Sequence, residues 1–166
     1  MRPETSIVPE EAFMVREIVQ LFMSKSQDGW WYSVEYPRPG KHIAWDIRLH
    51  RMQKKCVVET LAFEFKHDRS EPGSGNLFLE TWNCRSNTPS GLTATTADWW
   101  AVRSVRRPLC LFRPKIVLEW LRAHAKEFRI PFKTNCGDNN ANGYVVRFDL
   151  FRNVIPSAEL RWVPFL

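Results

Sequence analysis

Residues 43–80 read IAWDIRLHRMQKKCVVETLAFEFKHDRSEPGSGNLFLE, and this stretch decides the fold. It contains three runs rich in β-branched and aromatic residues, in which apolar and polar side chains alternate and between which turn-forming residues stand. The pattern predicts three β-strands. Because successive side chains of a strand point to opposite faces, Asp46 is a carboxylate opposite an apolar face, which carries Ile43, Trp45, Ile47 and Leu49.

The second run, residues 57–66, carries an acid and a base on one face. The two-residue period puts Glu64 beside Lys66, with two phenylalanines on the opposite face. Two carboxylates from neighbouring strands, such as Asp46 and Glu64, can hold Mg²⁺, which prefers oxygen ligands and keeps several waters. An adjacent ammonium can orient a water or stabilise negative charge during phosphodiester hydrolysis. A Glu-x-Lys pair is also common as an ion pair on a solvated strand face, so the spacing alone leaves both interpretations open.

Further motifs follow the Glu-x-Lys triplet. They are His67-Asp68, SEPGS at residues 70–74, GNLFLE at 75–80, PSGL at 89–92 and TTADWW at 95–100. In this succession the chain resembles, over residues 46–100, the PD-(D/E)xK nuclease superfamily, in particular the small phage and archaeal-type members that include Holliday junction resolvases. The Pro-Asp dipeptide of that superfamily is absent here, because Trp45 precedes Asp46.

The resemblance implies a restriction-endonuclease-like α/β fold, with a central mixed β-sheet flanked by α-helices. It also implies a Mg²⁺- or Mn²⁺-dependent deoxyribonuclease. In such an enzyme Asp46 and Glu64 would bind the metal with help from the backbone carbonyl of Phe65, and Lys66 would position or activate the attacking water. Holliday junction cleavage is the first expectation for the substrate. Resolving a junction needs two symmetric active sites, so we expect a homodimer.

Three further acids are candidates for the same site. Glu80 ends the GNLFLE run, and the resemblance leaves two roles open for it: an acid near the metal or the DNA, or a charge at a strand end. Many superfamily members place an acid on the first helix close to the metal. Glu11 or Glu17 of the predicted N-terminal helix could fill that place, and the alternative for both is a structural charge on the helix surface.

Several polar residues are candidate DNA contacts. Arg51, Lys54 and Lys55 belong to a basic hairpin loop, which is either a solvated turn or a phosphate-contacting loop. The other candidates are His67, Asn76, Thr95 and Thr96. Residues 93–96 supply N-cap candidates for a short helical turn through the two tryptophans of TTADWW, and Asp98 is expected to brace that turn.

The rest of the chain predicts alternating helices and strands. The expected elements are a helix over residues 6–25, a strand at 30–36, a strand at 109–112, a helix that begins near Pro114, a polar loop at 133–143 and a strand at 144–148. The tail, residues 149–166, is too apolar to remain in solvent, so it either closes the core or forms a dimer surface.

Composition sets outer limits on the function. A chain of 166 residues is expected to form one domain, and its net charge of +6 favours a polyanionic partner such as DNA, including branched DNA. No apolar run is long enough to span a bilayer and no secretory signal pattern is recognisable, so we expect no membrane contact and a cytoplasmic location. By the resemblance, the cell would be bacterial, archaeal or phage-infected. The four cysteines lack the paired short spacings of a zinc site and are expected to be reduced.

Two rival functions stay open. One keeps the metal site but changes the DNA substrate, as in an exonuclease or in a repair or restriction-like nuclease. The other is a non-catalytic, basic nucleic-acid-binding module, in which the acids serve only as partners in ion pairs. Dependence of activity on a divalent metal separates these two classes.

Overall fold

A six-stranded mixed sheet forms the centre of the structure, a computed structural model that describes residues 9–23, 30–37, 45–68, 75–104, 107–136, 140–154 and 160–163. The elements follow along the chain as α1 (Pro9–Met23), β1 (Trp30–Glu35), β2 (Ile47–Gln53), β3 (Cys56–Asp68), β4 (Asn76–Asn83), β5 (Thr88–Pro89), a 3₁₀ turn (Gly91–Thr93), β6 (Trp99–Ser104), β7 (Arg107–Phe112), α2 (Pro114–His124), β8 (Phe132–Cys136), β9 (Ala141–Arg147), α3 (Phe148–Val154) and β10 (Leu160–Val163).

The central sheet has the strand order β1-β2-β3-β6-β7-β10. Strands β3 and β6 run parallel, and every other neighbouring pair is antiparallel. The predicted strands of residues 43–80 are present as β2, β3 and β4, and the predicted mixed sheet is confirmed. A two-residue turn at Lys54 and Lys55, both with positive φ, joins β2 to β3, which is the geometry of the hairpin turns that match strand twist.

Helix α1 covers one face of the central sheet. Its apolar stripe, with Met14, Ile18 and Phe22, is buried in one cluster with Phe63 of β3 and Trp99 of β6. The rings of Phe22 and Phe63 meet edge to face with their centroids 5.8 Å apart. The predicted N-terminal helix is therefore confirmed over its described part, and it fixes which side chains of β3 and β6 face this layer.

The opposite face of the central sheet is covered by a second sheet together with two helices. This sheet has the strand order β5-β4-β9-β8 and is antiparallel throughout. Leu79 of β4, Leu121 of α2 and Phe151 of α3 are buried in one cluster with Trp100 and Phe112 of the central sheet. The predicted flanking by α-helices thus holds for the α1 face, whereas the other face is covered partly by β-structure.

The prediction of a helical turn through Trp99 and Trp100 is wrong. Both residues belong to strand β6, and their side chains are buried on opposite faces of the central sheet. Two adjacent tryptophans can both be buried in a strand because successive side chains alternate between its two faces. The short helical turn lies earlier, at Gly91–Thr93, and begins at a glycine with a φ of +51°.

The predicted polar loop at residues 133–143 is also corrected. Its described residues belong to the hairpin of β8 and β9, in which Phe132 pairs with Tyr144. Gly143 lies inside β9, where a Cβ atom would stand 2.5 Å from the carbonyl oxygen of Leu79. This glycine therefore permits close approach of two strands and does not mark a loop. The predicted strand at 144–148 ends one residue early, because Phe148 begins α3.

The apolar tail contributes to the core. Phe151 of α3 is fully buried, and its ring lies 5.1 Å from that of Phe112. Strand β10 extends the central sheet by antiparallel pairing with β7. Residues 155–159 and 164–166 lie outside the described part. No described helix combines the length and the apolar character needed to cross a membrane.

Candidate active site

Asp46 stands at a bend immediately before β2, beside β3. Its backbone N–H donates to the carbonyl oxygen of Phe63 at 2.7 Å, and its Oδ2 accepts the backbone N–H of Phe65 at 2.5 Å. These two bonds flank Glu64, the residue of β3 between the two phenylalanines. The antiparallel pairing of β2 with β3 therefore fixes the position of Asp46 next to the Glu-x-Lys triplet.

Glu64 and Lys66 share one face of β3, as the two-residue period predicts. The Nζ atom of Lys66 lies 2.6 Å from Oε1 of Glu64. The Glu64 side chain is 15% exposed and that of Lys66 is 41% exposed, so the pair stands at the boundary between the core and solvent. An acid held near the surface beside an ammonium is accessible to a solvent-borne substrate.

Trp100 completes this cluster, and the sequence analysis missed its role. It is paired with Glu64 in the parallel ladder of β3 and β6, and its Nε1–H donates to Oε2 of Glu64 at 3.0 Å. The Nζ atom of Lys66 lies 5.0 Å from the centroid of the Trp100 ring. The indole thus orients one oxygen of Glu64 and gives the ammonium a cation–π contact. The only sequence signal is the TTADWW motif, whose pattern predicts a helical turn.

The charges of Glu64 and Lys66 both act on the Asp46 carboxyl. Burial raises the pKa of the Asp46 carboxyl above its ordinary value, the Phe65 N–H lowers it, the charge of Glu64 raises it and the charge of Lys66 lowers it. Two carboxylates that repel each other beside a single ammonium form a site that a further cation would stabilise. The structure therefore brings together the three predicted residues Asp46, Glu64 and Lys66.

The donor set fits a hard divalent cation. Asp46 and Glu64 supply carboxylate oxygens, and the Phe65 carbonyl points to the same side of β3 as the N–H that binds Asp46, since both groups of a strand residue face one neighbour. Among the described residues, no group of three or more His, Cys, Asp and Glu side chains could hold a metal. The oxygen donors of Asp46, Glu64 and Phe65 are of the kind that Mg²⁺ and Mn²⁺ prefer, with waters completing the coordination.

The alternation of side chains breaks at Asp46, which corrects the predicted face of Trp45. Trp45 is buried in the cluster that contains Trp100, whereas Ile47 is buried against α1. The guanidinium of Arg48 lies 4.4 Å from the centroid of the Trp45 ring. The bend therefore turns Trp45 towards the face of the sheet that carries Glu64, and away from the face that the simple two-residue period predicts.

The three additional acids do not join the cluster. Glu80 of β4, in the second sheet, accepts the hydroxyl of Ser90, the residue before the 3₁₀ turn, at 2.5 Å. Glu17 of α1 is buried on the opposite face of the central sheet, where burial raises its pKa and the charges of Arg103 and Arg16 lower it. Glu11 lies on the same helix. Because α1 packs on the face away from Glu64, the prediction that an α1 acid completes the site finds no support in the geometry.

The candidate DNA contacts are dispersed. The Nε atom of Arg51 lies 3.4 Å from Glu59, and its guanidinium stands 4.2 Å from the centroid of the Trp30 ring, so it is engaged within the sheet. Lys54 and Lys55 are exposed at the tip of the β2–β3 hairpin. The remaining candidates are half-buried Asn76 at the start of β4, buried Thr95, exposed Thr96 and His67, whose side chain lies outside the described part.

Asp98 fixes the strand that carries Trp100. Its Oδ2 accepts the backbone N–H of Ala62 at 2.8 Å, and its own N–H donates to the Ala62 carbonyl at 2.9 Å. The start of β6 is thereby joined to β3 just before Glu64.

Comparison of the chain with protein-family models, with curated proteins and with solved structures finds no match.

Proposed function

We propose that this protein is a Mg²⁺- or Mn²⁺-dependent deoxyribonuclease that hydrolyses phosphodiester bonds at the site formed by Asp46, Glu64 and Lys66. One observation carries the proposal: two carboxylates from neighbouring strands and one ammonium meet at the edge of the core, where burial and then the charge of Glu64 raise the pKa of Asp46. A divalent cation would relieve that repulsion. The two acids and the Phe65 carbonyl would hold it.

Each residue of the site has a separate role in this mechanism. When bound, the metal supplies Lewis-acid chemistry, in that it offsets charge on the scissile phosphate and lowers the pKa of a water. Trp100 keeps one oxygen of Glu64 in place, so the carboxylate needs little reorganisation to act as a ligand. Lys66, released from Glu64, donates hydrogen bonds to the attacking water or to a phosphate oxygen as negative charge develops there.

DNA is the proposed substrate class, because the net charge of +6 favours a polyanion. The resemblance to Holliday junction resolvases favours a structure-selective endonuclease that acts as a homodimer in the cytoplasm. The restriction-endonuclease-like fold belongs to the same proposal, and the placement of the acids on an antiparallel strand pair of a mixed sheet supports it.

A second candidate is a basic nucleic-acid-binding module without catalysis. It is favoured by the short distance of 2.6 Å between Lys66 and Glu64, which a purely structural ion pair also explains. The two candidates differ in whether a divalent metal is needed.

A cleavage panel tests the proposal. The purified protein is incubated with linear duplex, single-stranded, flap and four-way DNA, with and without Mg²⁺. We expect metal-dependent cleavage, and we expect Glu64→Gln and Lys66→Ala to lower the rate by at least about 10²-fold while DNA binding persists. Glu59→Gln is a matched control, because Glu59 stands on the same strand and pairs with Arg51 at the surface. Full turnover in both site variants, or cleavage without metal, would exclude this site from the mechanism.

A further inference from the structure

An aromatic groove lies between the second sheet and α2, on a different part of the molecule from the Glu64 carboxylate. Its volume is about 670 Å³, which lies within the usual range of about 300–1,000 Å³ for pockets that bury small ligands. Its floor is formed by the buried side chains of Thr81 and Leu118. Trp82, Phe132 and Tyr144 supply its aromatic lining.

Phe132 is the most exposed of the three aromatic residues in the groove, and Trp82 and Tyr144 are partly buried. Phe132 is 50% exposed, although it has a large apolar side chain. Its ring meets that of Tyr144 edge to face at 5.0 Å between centroids, because the two residues are paired across β8 and β9. The pairing holds the Phe132 ring in place while half of the residue stays exposed, so the ring offers a preorganised surface for a planar group.

The charge at the groove is of one sign. Arg122, in the last turn of α2, lines the groove and is exposed. It forms no ion pair with the acids in the described part of the chain. Among the described residues that line the groove, none is acidic. An anionic ligand with a flat, apolar portion matches this combination of one guanidinium and three rings.

We infer that this groove binds unpaired nucleotides of single-stranded DNA, with a base stacked on Phe132 and a phosphate at Arg122. Single-strand binding sites combine aromatic platforms with positive charge that follows the backbone. A duplex would not supply such a ligand, because its bases are stacked on each other. As a description of the nuclease's substrate the inference rests on the proposed function, whereas the binding itself is measurable without cleavage.

Fluorescence anisotropy with fluorescein-labelled oligo(dT), in EDTA, tests the inference. We expect the wild-type protein to bind oligo(dT) more tightly than a duplex of equal length. Phe132→Ala should weaken the binding of oligo(dT) by at least about five-fold, which is the lower limit for loss of one base–aromatic stack. Phe132→Tyr keeps the ring and should restore binding. Since Phe132 is half exposed, its removal is not expected to unfold the chain, and circular dichroism checks this.

Two control variants separate the groove from general effects. Phe128→Ala removes a ring that is 38% exposed but packs on Trp120 outside the groove, and it should leave the affinity unchanged. Arg122→Gln should reduce the slope of log affinity against log salt by about 0.7, as expected for one lost phosphate contact on a single strand. Lys115→Gln removes the same charge from the first turn of α2 and should leave that slope as in the wild type.

The outcomes distinguish this inference from the proposed function. Equal losses in Phe132→Ala and Phe128→Ala, or tighter binding of the duplex, would refute the groove as a single-strand site. If the wild type binds no oligo(dT) but self-associates in sedimentation, and Phe132→Ala abolishes the association, the groove is an interface between copies and the inference is wrong. Cleavage that fails while groove-dependent binding persists would reject only the nuclease.

Discussion

Replacing Trp100 by phenylalanine is the most direct test of the site's architecture. The change removes the N–H that donates to Glu64 and keeps an aromatic ring under Lys66. A hydrogen bond to a charged group contributes roughly 1.5–3 kcal/mol to the free energy of unfolding. The lower end applies here, because the Glu64 side chain is 15% exposed and water can partly replace the indole.

The main expected effect is on metal affinity. Groups that hydrogen-bond to a ligand without touching the metal typically contribute about 10- to 100-fold to metal binding. We therefore expect Trp100→Phe to raise the Kd for Mn²⁺ by about 10-fold or more, measured by calorimetric titration of the metal-free protein. Loss of the larger ring should also lower the free energy of unfolding by roughly 1–3 kcal/mol, through the cavity that it leaves.

Trp99→Phe is the matched control. Trp99 is the neighbouring residue on β6, it is 1% exposed against 2% for Trp100, and it faces α1 on the other side of the sheet. Its replacement should cost similar stability and leave the Kd for Mn²⁺ unchanged. Equal weakening of Mn²⁺ binding by both replacements, or a Kd for Trp100→Phe within about two-fold of wild type, would refute the role given to the indole.

Three further predictions concern the same structure. Asp46→Asn should raise the free energy of unfolding of the metal-free protein at pH 7, because burial and Glu64 raise the pKa of Asp46. This gain in the free energy of unfolding should fade as the pH drops towards about 3.9, the ordinary pKa of an aspartate, because the wild-type carboxyl becomes protonated and loses its charge. Urea titrations at several pH values measure the gain, and a gain independent of pH would contradict the reasoning. Mn²⁺ at about 100 times its Kd should stabilise the wild type by about 2.7 kcal/mol in thermal unfolding, and Glu64→Gln should lose this effect if Glu64 is a ligand. Gly143→Ala places a Cβ atom 2.5 Å from the Leu79 carbonyl oxygen, so the Tm should fall by at least about 2 °C, and an unchanged Tm would show that β4 and β9 can separate freely.

Local patterns were sufficient to predict the strand that carries Glu64 and Lys66. The basic loop predicted at residues 51–55 and the alternation along residues 57–66 predict the β2–β3 hairpin, although residues 51–53 belong to β2 and only Lys54 and Lys55 form the turn. The two-residue period places Glu64 beside Lys66. Both relations depend on residues close in sequence. The pairing of β2 with β3 then brings Asp46 to the same place, because a short hairpin fixes the register of its strands.

Contacts between residues distant in sequence could not be predicted from the sequence patterns. Trp100 and Glu64 are 36 residues apart in sequence, and they meet because β3 and β6 pair in parallel. This pairing depends on how the segment between the two strands crosses the sheet. Hairpin β8–β9 is missed because asparagines and a glycine predict a loop from sequence, whereas Gly143 is needed for the approach of β4. Trp45 was assigned to the wrong face because the bend at Asp46 interrupts the alternation.

Asp46 is the residue that separates a metal site from a structural ion pair. Glu64 and Lys66 alone form a balanced pair, and the indole of Trp100 satisfies the second oxygen of the glutamate. The bond from the Phe65 N–H to Asp46 would be made equally well by an asparagine, which carries no charge. A second, partly buried carboxylate, whose pKa is raised first by burial and further by the charge of Glu64, therefore weakens a purely structural cluster. The Asp46 carboxylate becomes favourable when a cation binds between the two acids. In a metal site, Asp46→Asn should therefore raise the free energy of unfolding without Mn²⁺ and lower it with Mn²⁺. In a structural ion pair, Mn²⁺ should not change the sign of this effect.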